Sequence, residues 1–163
     1  MQDFIYEGGI RILYGAEQLP RVAEEIAKLG QRMLVIPTGS FLSGGHYETL
    51  ERALTGVGLV VFPLNAGRKP LLSKVQEGAR LCAEKQIDVV LGIGGGVSMD
   101  LAKAIAFGAR NTDVPMERFL TYEVSTDGRP MLPVVTIPTN PMSGSETNAD
   151  IQITLDESGL QVG

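Results

Sequence analysis

A run of three glycines separates an apolar stretch from a run of good helix formers: Gly94, Gly95 and Gly96. The apolar stretch, Ile87 to Ile93, is typical of a buried parallel strand, so the glycines form a tight turn between a strand and a helix. Glycine allows positive φ and close approach of a ligand, and the first amide groups of a helix have no partners within it. The turn therefore favours an anion such as phosphate, although a purely steric turn is the alternative reading. Two polar residues of the next helical turn are further candidate contacts: Ser98 and Asp100.

A second polar segment follows an apolar strand predicted over Met131 to Ile137. It runs from Pro138 to Thr147 and is dense in hydroxyl groups and in residues that break regular structure. Because ligands of parallel sheets lie at the carboxyl ends of the strands, this segment would lie beside the glycine turn, where its hydroxyls could bond a ribose or a pyrophosphate. An ordinary loop rich in Ser and Thr is the alternative. The candidate contacts are Thr139, Asn140 and Ser143.

Hydrophobic periodicity predicts the elements that position these two segments. Strands are predicted over residues 10–14, 32–36, 59–62 (buried), 88–93, 131–137 and 149–155, and helices over 17–29, 46–54 and 98–109. Another helix should follow Pro70, capped by Ser73 with Gln76 three residues on, and a short one should lie around 115–120. Repeated strand–helix alternation predicts an α/β, Rossmann-like parallel sheet with helices on both faces, here followed by a C-terminal β-hairpin.

Length and composition are those of one globular domain, with 163 residues, 44% of them hydrophobic and 20% charged. The net charge of −5 and the lack of a Lys or Arg cluster argue against nucleic acid and anionic membrane as partners. No apolar run is long enough to span a bilayer, and the N-terminus lacks a signal-peptide pattern, so we expect a cytoplasmic protein. Cys82 is the only cysteine, which rules out an intramolecular disulfide.

Two motifs resemble those of the iron-containing alcohol dehydrogenases. Residues 94–103 read Gly-Gly-Gly-Val-Ser-Met-Asp-Leu-Ala-Lys and are similar to that family's G-G-G-S-x-x-D-x-A-K segment. Residues 137–147 read Ile-Pro-Thr-Asn-Pro-Met-Ser-Gly-Ser-Glu-Thr and are similar to its P-T-T-x-G-T-G-S-E-[VT]-T segment, in the family's order. Val97 departs from the family's usual Ser, and Asn140-Pro141-Met142 from its Thr-x-Gly.

The resemblance implies that residues 1–163 form an NAD(P)-binding domain whose dinucleotide pyrophosphate lies across the glycine turn, with Asp150 among the candidate cofactor contacts. It implies alcohols and aldehydes or ketones as substrates. It also implies a helical C-terminal domain that holds a divalent metal, iron or zinc, through one Asp and three His. His46 is the only histidine here, best read as a surface or helix-start residue. We therefore expect that domain to be absent from this chain and the chain alone to be inactive. We also expect the protein to form a homo-oligomer.

The choice between NADP and NAD rests on the turn after the strand at 32–36, whose candidate contacts are Thr38, Gly39 and Ser40. NAD-using nucleotide folds place a carboxylate there, which bonds the ribose 2′-hydroxyl and repels a 2′-phosphate. No acidic residue stands here before Glu48, which favours NADP or dual use. The same stretch has no Arg that could pair with a 2′-phosphate. Arg32 or Lys69 could do so only if the fold places one of them near this turn. An ordinary polar turn is the alternative.

Two other functions remain open from the sequence. The cofactor domain of glycerol dehydrogenase and dehydroquinate synthase-like enzymes is a near alternative, although the hydroxyl-rich segment favours the alcohol dehydrogenases. A nucleotide-binding module without catalysis is the second.

Overall fold

A computed structural model describes residues 4–7, 9–15, 17–140 and 143–163 of the chain. The strands in chain order are β1 (Phe4–Glu7), β2 (Arg11–Tyr14), β3 (Arg32–Pro37), β4 (Val60–Pro63), β5 (Val89–Gly94), β6 (Val134–Pro138), β7 (Ile153–Thr154) and β8 (Gln161–Val162). The helices are α1 (Leu19–Ala27), α2 (Gly39–Ser43), α3 (Tyr47–Gly56), α4 (Leu72–Glu84), α5 (Gly96–Gly108) and α6 (Met116–Leu120).

The central sheet contains four of these strands, all parallel, in the spatial order β4-β3-β5-β6. The chain moves from β3 outward to β4 and then returns to the other side of β3 with β5. The order of the strands therefore reverses between β3 and β5. In open α/β sheets such a reversal leaves a crevice at the carboxyl ends of the two strands, where ligands bind.

Helices cover both faces of this sheet, which confirms the predicted α/β architecture. On one face, Met33 and Val35 of β3 pack in a cluster with residues of α1 and α3, such as Ile26 and Leu54. On the other face, Leu34 and Ile36 join a cluster with residues of α4 and α5. Successive residues of a strand point to opposite faces, so a continuous apolar run supplies both cores.

Two antiparallel hairpins accompany the sheet. β1 pairs with β2 near the N-terminus, where the sequence predicted only the second of these strands. β7 pairs with β8, which confirms a C-terminal β-hairpin, but β7 covers two residues rather than the whole of 149–155. Among the described residues no helix combines the length and the apolar character needed to cross a bilayer.

Several predicted boundaries differ from the structure for identifiable reasons. The strand predicted as buried over 59–62 is the edge strand β4, so Val60 is 45% exposed. Glu17 has a positive φ of 58°, which is incompatible with a helix, and α1 begins only at Leu19. Between the predicted strand at 32–36 and the predicted helix at 46–54, where the sequence indicated only a turn, the structure contains the short helix α2.

The predicted capping box at the start of α4 is wrong. The helix begins at Leu72, and the Ser73 side chain caps no amide of α4. Instead Asp156, in the turn between β7 and β8, accepts a hydrogen bond from the Ser73 amide at 2.8 Å and another from its hydroxyl at 2.5 Å. A carboxylate from a distant hairpin thus satisfies a free amide at the positive end of the helix.

Candidate functional site

The glycine turn lies at the carboxyl end of β5, inside the crevice. Gly94 has φ of +140°, a conformation that side chains disfavour. A Cβ atom there would also lie 2.9 Å from Thr38 Oγ1 and 3.1 Å from Ser98 Oγ. Gly95 precedes α5 as its N-cap residue without a side chain to occupy the helix end. The first amide groups of α5 are therefore accessible to a ligand in the crevice.

Gly92, which the sequence analysis did not single out, sets the distance between β5 and the first turn of α5. A Cβ on Gly92 would lie 2.8 Å from the carbonyl oxygen of Ser98 and 3.1 Å from Met99 Cα. The absence of a side chain thus lets the first turn of α5 lie directly on β5. The sequence signal was an isolated glycine inside a strand, which often marks close approach of another backbone.

Ser98 lies under the turn with an unused hydroxyl. The residue is fully buried, and its Oγ has no hydrogen-bond partner among the described residues. A buried hydroxyl without a partner is energetically costly, so its presence here is consistent with a polar group of a ligand. The cradle left by three missing Cβ atoms and this free hydroxyl fit a bound pyrophosphate.

The hydroxyl-rich segment lies directly against the glycine turn. β6 ends at Pro138, and the Thr139 amide donates a hydrogen bond to the Gly94 carbonyl at 2.8 Å. Cβ atoms added to Gly95 and Gly96 would lie 2.9 Å from Asn140 Nδ2 and 3.2 Å from Ser143 Cβ. The structure therefore brings together the two segments that carry the predicted contacts. Pro141 and Met142, which the resemblance singled out, lie outside the described residues.

Asp100 uses both of its carboxylate oxygens to hold this segment on α5. Oδ1 accepts a 2.6 Å hydrogen bond from Ser145 Oγ, and Oδ2 accepts one from the Gln152 amide at 3.1 Å. Oδ1 also lies 3.5 Å from Lys103 Nζ, three residues on along the helix. Within the described part of the chain, Asp100 thus anchors both ends of the stretch from Ser145 to Gln152.

Lys103 completes the anchor from the same face of α5. Its ammonium group donates hydrogen bonds to the Ser145 carbonyl at 3.1 Å, the Asn148 carbonyl at 3.4 Å and the Asp150 carbonyl. Burial lowers the pKa of Lys103 below its ordinary value of 10.5, while the charge of Asp100 opposes this shift. Asp150 is exposed and is held through its backbone, since its carbonyl bonds Lys103 and its amide bonds Asn148 Oδ1.

An open cavity of about 470 Å³ lies on the other side of the glycine turn. It lies where β3 and β4 end. Two hydrogen bonds hold the loops there: the Thr38 amide donates to the Ile93 carbonyl at 3.1 Å, and the Ala66 amide donates to the Pro37 carbonyl at 3.0 Å. Its lining contains the three residues predicted from the sequence together with three that follow β4: Thr38, Gly39, Ser40, Asn65, Gly67 and Arg68.

Arg68 is the cation that the sequence analysis missed at this place. Of the two alternatives considered there, Lys69 does not line the cavity. Arg32 lies at the opposite end of β3, where its guanidinium donates to the Lys85 carbonyl. The available signal was the order of elements, since the loops after two neighbouring parallel strands must emerge at the same edge of the sheet.

The described residues contain no group of three or more His, Cys, Asp or Glu side chains that could hold a metal ion. His46 is exposed at the start of α3, with its ring centroid 6.0 Å from that of Phe41. The residues at hand thus do not fit a metal centre, which needs three or four ligands in a defined geometry.

Comparison with known proteins yields one family and many relatives. The model of the family described as "Iron-containing alcohol dehydrogenase" matches residues 10–163. The chain is 32% identical over 156 residues to the probable NADH-dependent butanol dehydrogenase 2 of Bacillus subtilis, covering 94% of this chain and 39% of that protein. It is 33% identical over 144 residues to the NAD-dependent methanol dehydrogenase of Bacillus methanolicus, covering 86% of this chain and 36% of that protein.

Solved structures agree with these sequence relatives. The NADH-dependent butanol dehydrogenase A of Thermotoga maritima superimposes with a TM-score of 0.84 at 27% identity, over 99% of this chain and 41% of that one. The chain therefore spans about two fifths of the length of the proteins it matches.

Proposed function

Because the chain belongs to the iron-containing alcohol dehydrogenase family, we propose that it forms the dinucleotide-binding part of an alcohol dehydrogenase. The reaction is hydride transfer between an alcohol and an aldehyde or ketone. Relatives named as dehydrogenases of butanol and methanol support small alcohols as the substrate class.

One observation carries this proposal: the hydroxyl-rich segment is hydrogen-bonded to the glycine turn, which borders the crevice where the strand order reverses. The dinucleotide pyrophosphate lies on the amides of Gly94, Gly95 and Gly96, with the Ser98 hydroxyl as an additional partner. Thr139, Asn140 and Ser143 border the turn on the β6 side and orient the nicotinamide end. Thr38, Gly39 and Ser40 border it on the β3 side and receive the adenosine ribose.

The remaining two predicted contacts, Asp100 and Asp150, support the site from within the chain: Asp100 through its carboxylate and Asp150 through its backbone carbonyl. Asp100 bonds Ser145 and Gln152, and Lys103 bonds the Asp150 carbonyl, so that residues 145–152 are held against α5. When bound, the nicotinamide ring supplies the hydride acceptor or donor. The chain's own residues bind and orient that cofactor.

The metal that the family name implies would have to be held by residues outside this chain, since those described do not form a site for it. We accordingly propose that residues 1–163 are a cofactor-binding domain and that activity requires a further, metal-binding part. The cofactor is NAD or NADP; the names of the relatives above support NAD.

Gly95→Val tests the proposal directly, because a Cβ there already meets Asn140 Nδ2 at 2.9 Å and a larger side chain would displace the ligand from the amides. We expect the parent chain to bind NADH or NADPH in a fluorescence titration. The variant should bind about tenfold more weakly or worse, as for the loss of one or two phosphate hydrogen bonds.

Gly56→Val is the matched control, since Gly56 has open space around the position of a Cβ and lies at the end of α3. It should bind like the parent. Equal binding by Gly95→Val and the parent would mean that the turn is only structural. Absence of binding by the parent would contradict the proposed function itself.

A further inference from the structure

The cavity beside the glycine turn offers hydrogen-bonding groups and one positive charge. Thr38 and Ser40 line it with hydroxyl groups 3.2 Å apart, and Asn65 and the cationic residue Arg68 are also part of its lining. None of the six lining residues is acidic. A cavity of this composition attracts an anionic group and does not repel one.

Local backbone structure sets Arg68 at this cavity. Asn65 Oδ1 accepts a hydrogen bond from the Gly67 amide at 2.9 Å, and Gly67 takes a positive φ of 73°. The Ala66 amide fastens the same loop to the Pro37 carbonyl. These contacts turn the chain at residues 65–67, and the arginine that follows lines the cavity at the end of β3.

Arg68 has no competing partner in the part of the chain that the structure describes. No ion pair or hydrogen bond engages its guanidinium group, although other arginines do form such contacts: Arg118 bonds Glu123 and Arg129 bonds Asp113. A planar guanidinium presents donors that match phosphate oxygens in pairs. Its charge is thus available to a ligand.

The cavity continues into the proposed pyrophosphate site through Thr38. The Thr38 side chain occupies the space that a Cβ on Gly94 would need, and its amide bonds the Ile93 carbonyl. A ribose attached to a pyrophosphate on the glycine turn would therefore lie beside Thr38, at the cavity that Ser40 and Arg68 also line.

We propose that Arg68 pairs with a phosphate on the 2′ position of this ribose, so that the site prefers NADP(H) to NAD(H). The inference rests on the proposed function, because it assumes a dinucleotide on the glycine turn. In NAD-using sites a carboxylate at the strand end bonds the 2′-hydroxyl and excludes a 2′-phosphate. At the corresponding place this chain has two hydroxyls and an arginine, although relatives are named for NADH.

The experiment compares NADPH and NADH titrations of the parent chain, Arg68→Ala, Arg68→Lys and Lys69→Ala. Lys69→Ala is the matched control, because it removes the same charge from the next residue, which does not line the cavity. We expect the parent to bind NADPH at least about tenfold more tightly than NADH. Arg68→Ala should weaken NADPH binding about tenfold more than NADH binding and so lose that preference. Arg68→Lys, which keeps a point charge, should keep part of the preference.

A salt series gives a second readout. NADPH affinity of the parent should fall more steeply with ionic strength than NADH affinity, and Arg68→Ala should remove the difference. Equal affinities for both dinucleotides in the parent, or an equal loss of both in Arg68→Ala, would overturn the inference and leave the proposed function standing. Failure of the parent to bind either dinucleotide would overturn both.

Discussion

Asp100 and Lys103, two charged residues that follow the glycine turn, act within the chain by holding another segment in place. Both side chains are nearly buried, at 14% and 11% exposure, and both bind the segment that follows β6. The lysine donates to three carbonyls that would otherwise need other donors. Burial of the pair is tolerated because each polar atom has partners, and the segment next to the glycine turn is held as a result.

Asp156 accepts two hydrogen bonds from Ser73 at the start of α4. Two hydrogen bonds from Ser73 hold the pKa of Asp156 below its ordinary value of 3.8. A lowered carboxyl pKa contributes stability that is present above 3.8 and is lost as the pH falls through the folded-state value. Ser73→Ala removes the hydroxyl donor, so the pKa of Asp156 should rise toward 3.8 in an NMR titration. Asp113, whose pKa is held low by Arg129, should not move in the same variant. An unchanged titration of Asp156 would show that the Ser73 hydroxyl is unimportant.

The close contact between α5 and β5 sets the position of the helix relative to the sheet, and with it the geometry of the site. Gly92→Ala would place a Cβ 2.8 Å from the Ser98 carbonyl, which is backbone and cannot rotate away. The helix must therefore shift, and we expect a loss of about 1–3 kcal/mol in the free energy of unfolding. Dinucleotide affinity should fall as well, because the amides of the turn move with the helix. Urea denaturation and NADH or NADPH titration measure the two effects.

Gly56→Ala is the control for that substitution. Gly56 is helical, has no positive φ and has nothing within 4 Å of the position of a Cβ. Here alanine should be neutral or stabilising by up to about 1 kcal/mol, because it reduces the entropy of the unfolded chain. Similar destabilisation by both variants would contradict the argument from close packing.

The whole molecule is expected to bind its cofactor without catalysing the reaction. In the described residues no cluster of metal ligands exists, and one histidine in the entire sequence cannot provide the set that the family resemblance implies. We expect the 163-residue chain, supplied with NAD⁺ or NADP⁺, a primary alcohol and Zn²⁺ or Fe²⁺, to show no turnover above background. Dinucleotide titration of the same sample verifies that the chain is folded. Metal-dependent reduction of the cofactor, followed by absorbance of the reduced nicotinamide, would contradict this prediction.

Short-range sequence patterns encode the local units of the fold. The apolar run before Gly94, the glycines and the helix formers after them specify a strand, a turn and a helix through interactions between near neighbours. The alternation of such units restricted the molecule to a parallel sheet covered by helices, and the hydroxyl-rich segment was recognisable from its composition.

Which distant residues meet depends on how the strands and helices pack together. The exposure of β4 follows from its place at the edge of the sheet, and the capping of α4 depends on Asp156 in a later hairpin. Arg68 and Thr38 line the same cavity because β3 and β4 are neighbours. All three features depend on strand order and on loop conformation. Local hydrophobic periodicity does not encode these features, because it records which face a residue takes within its own element.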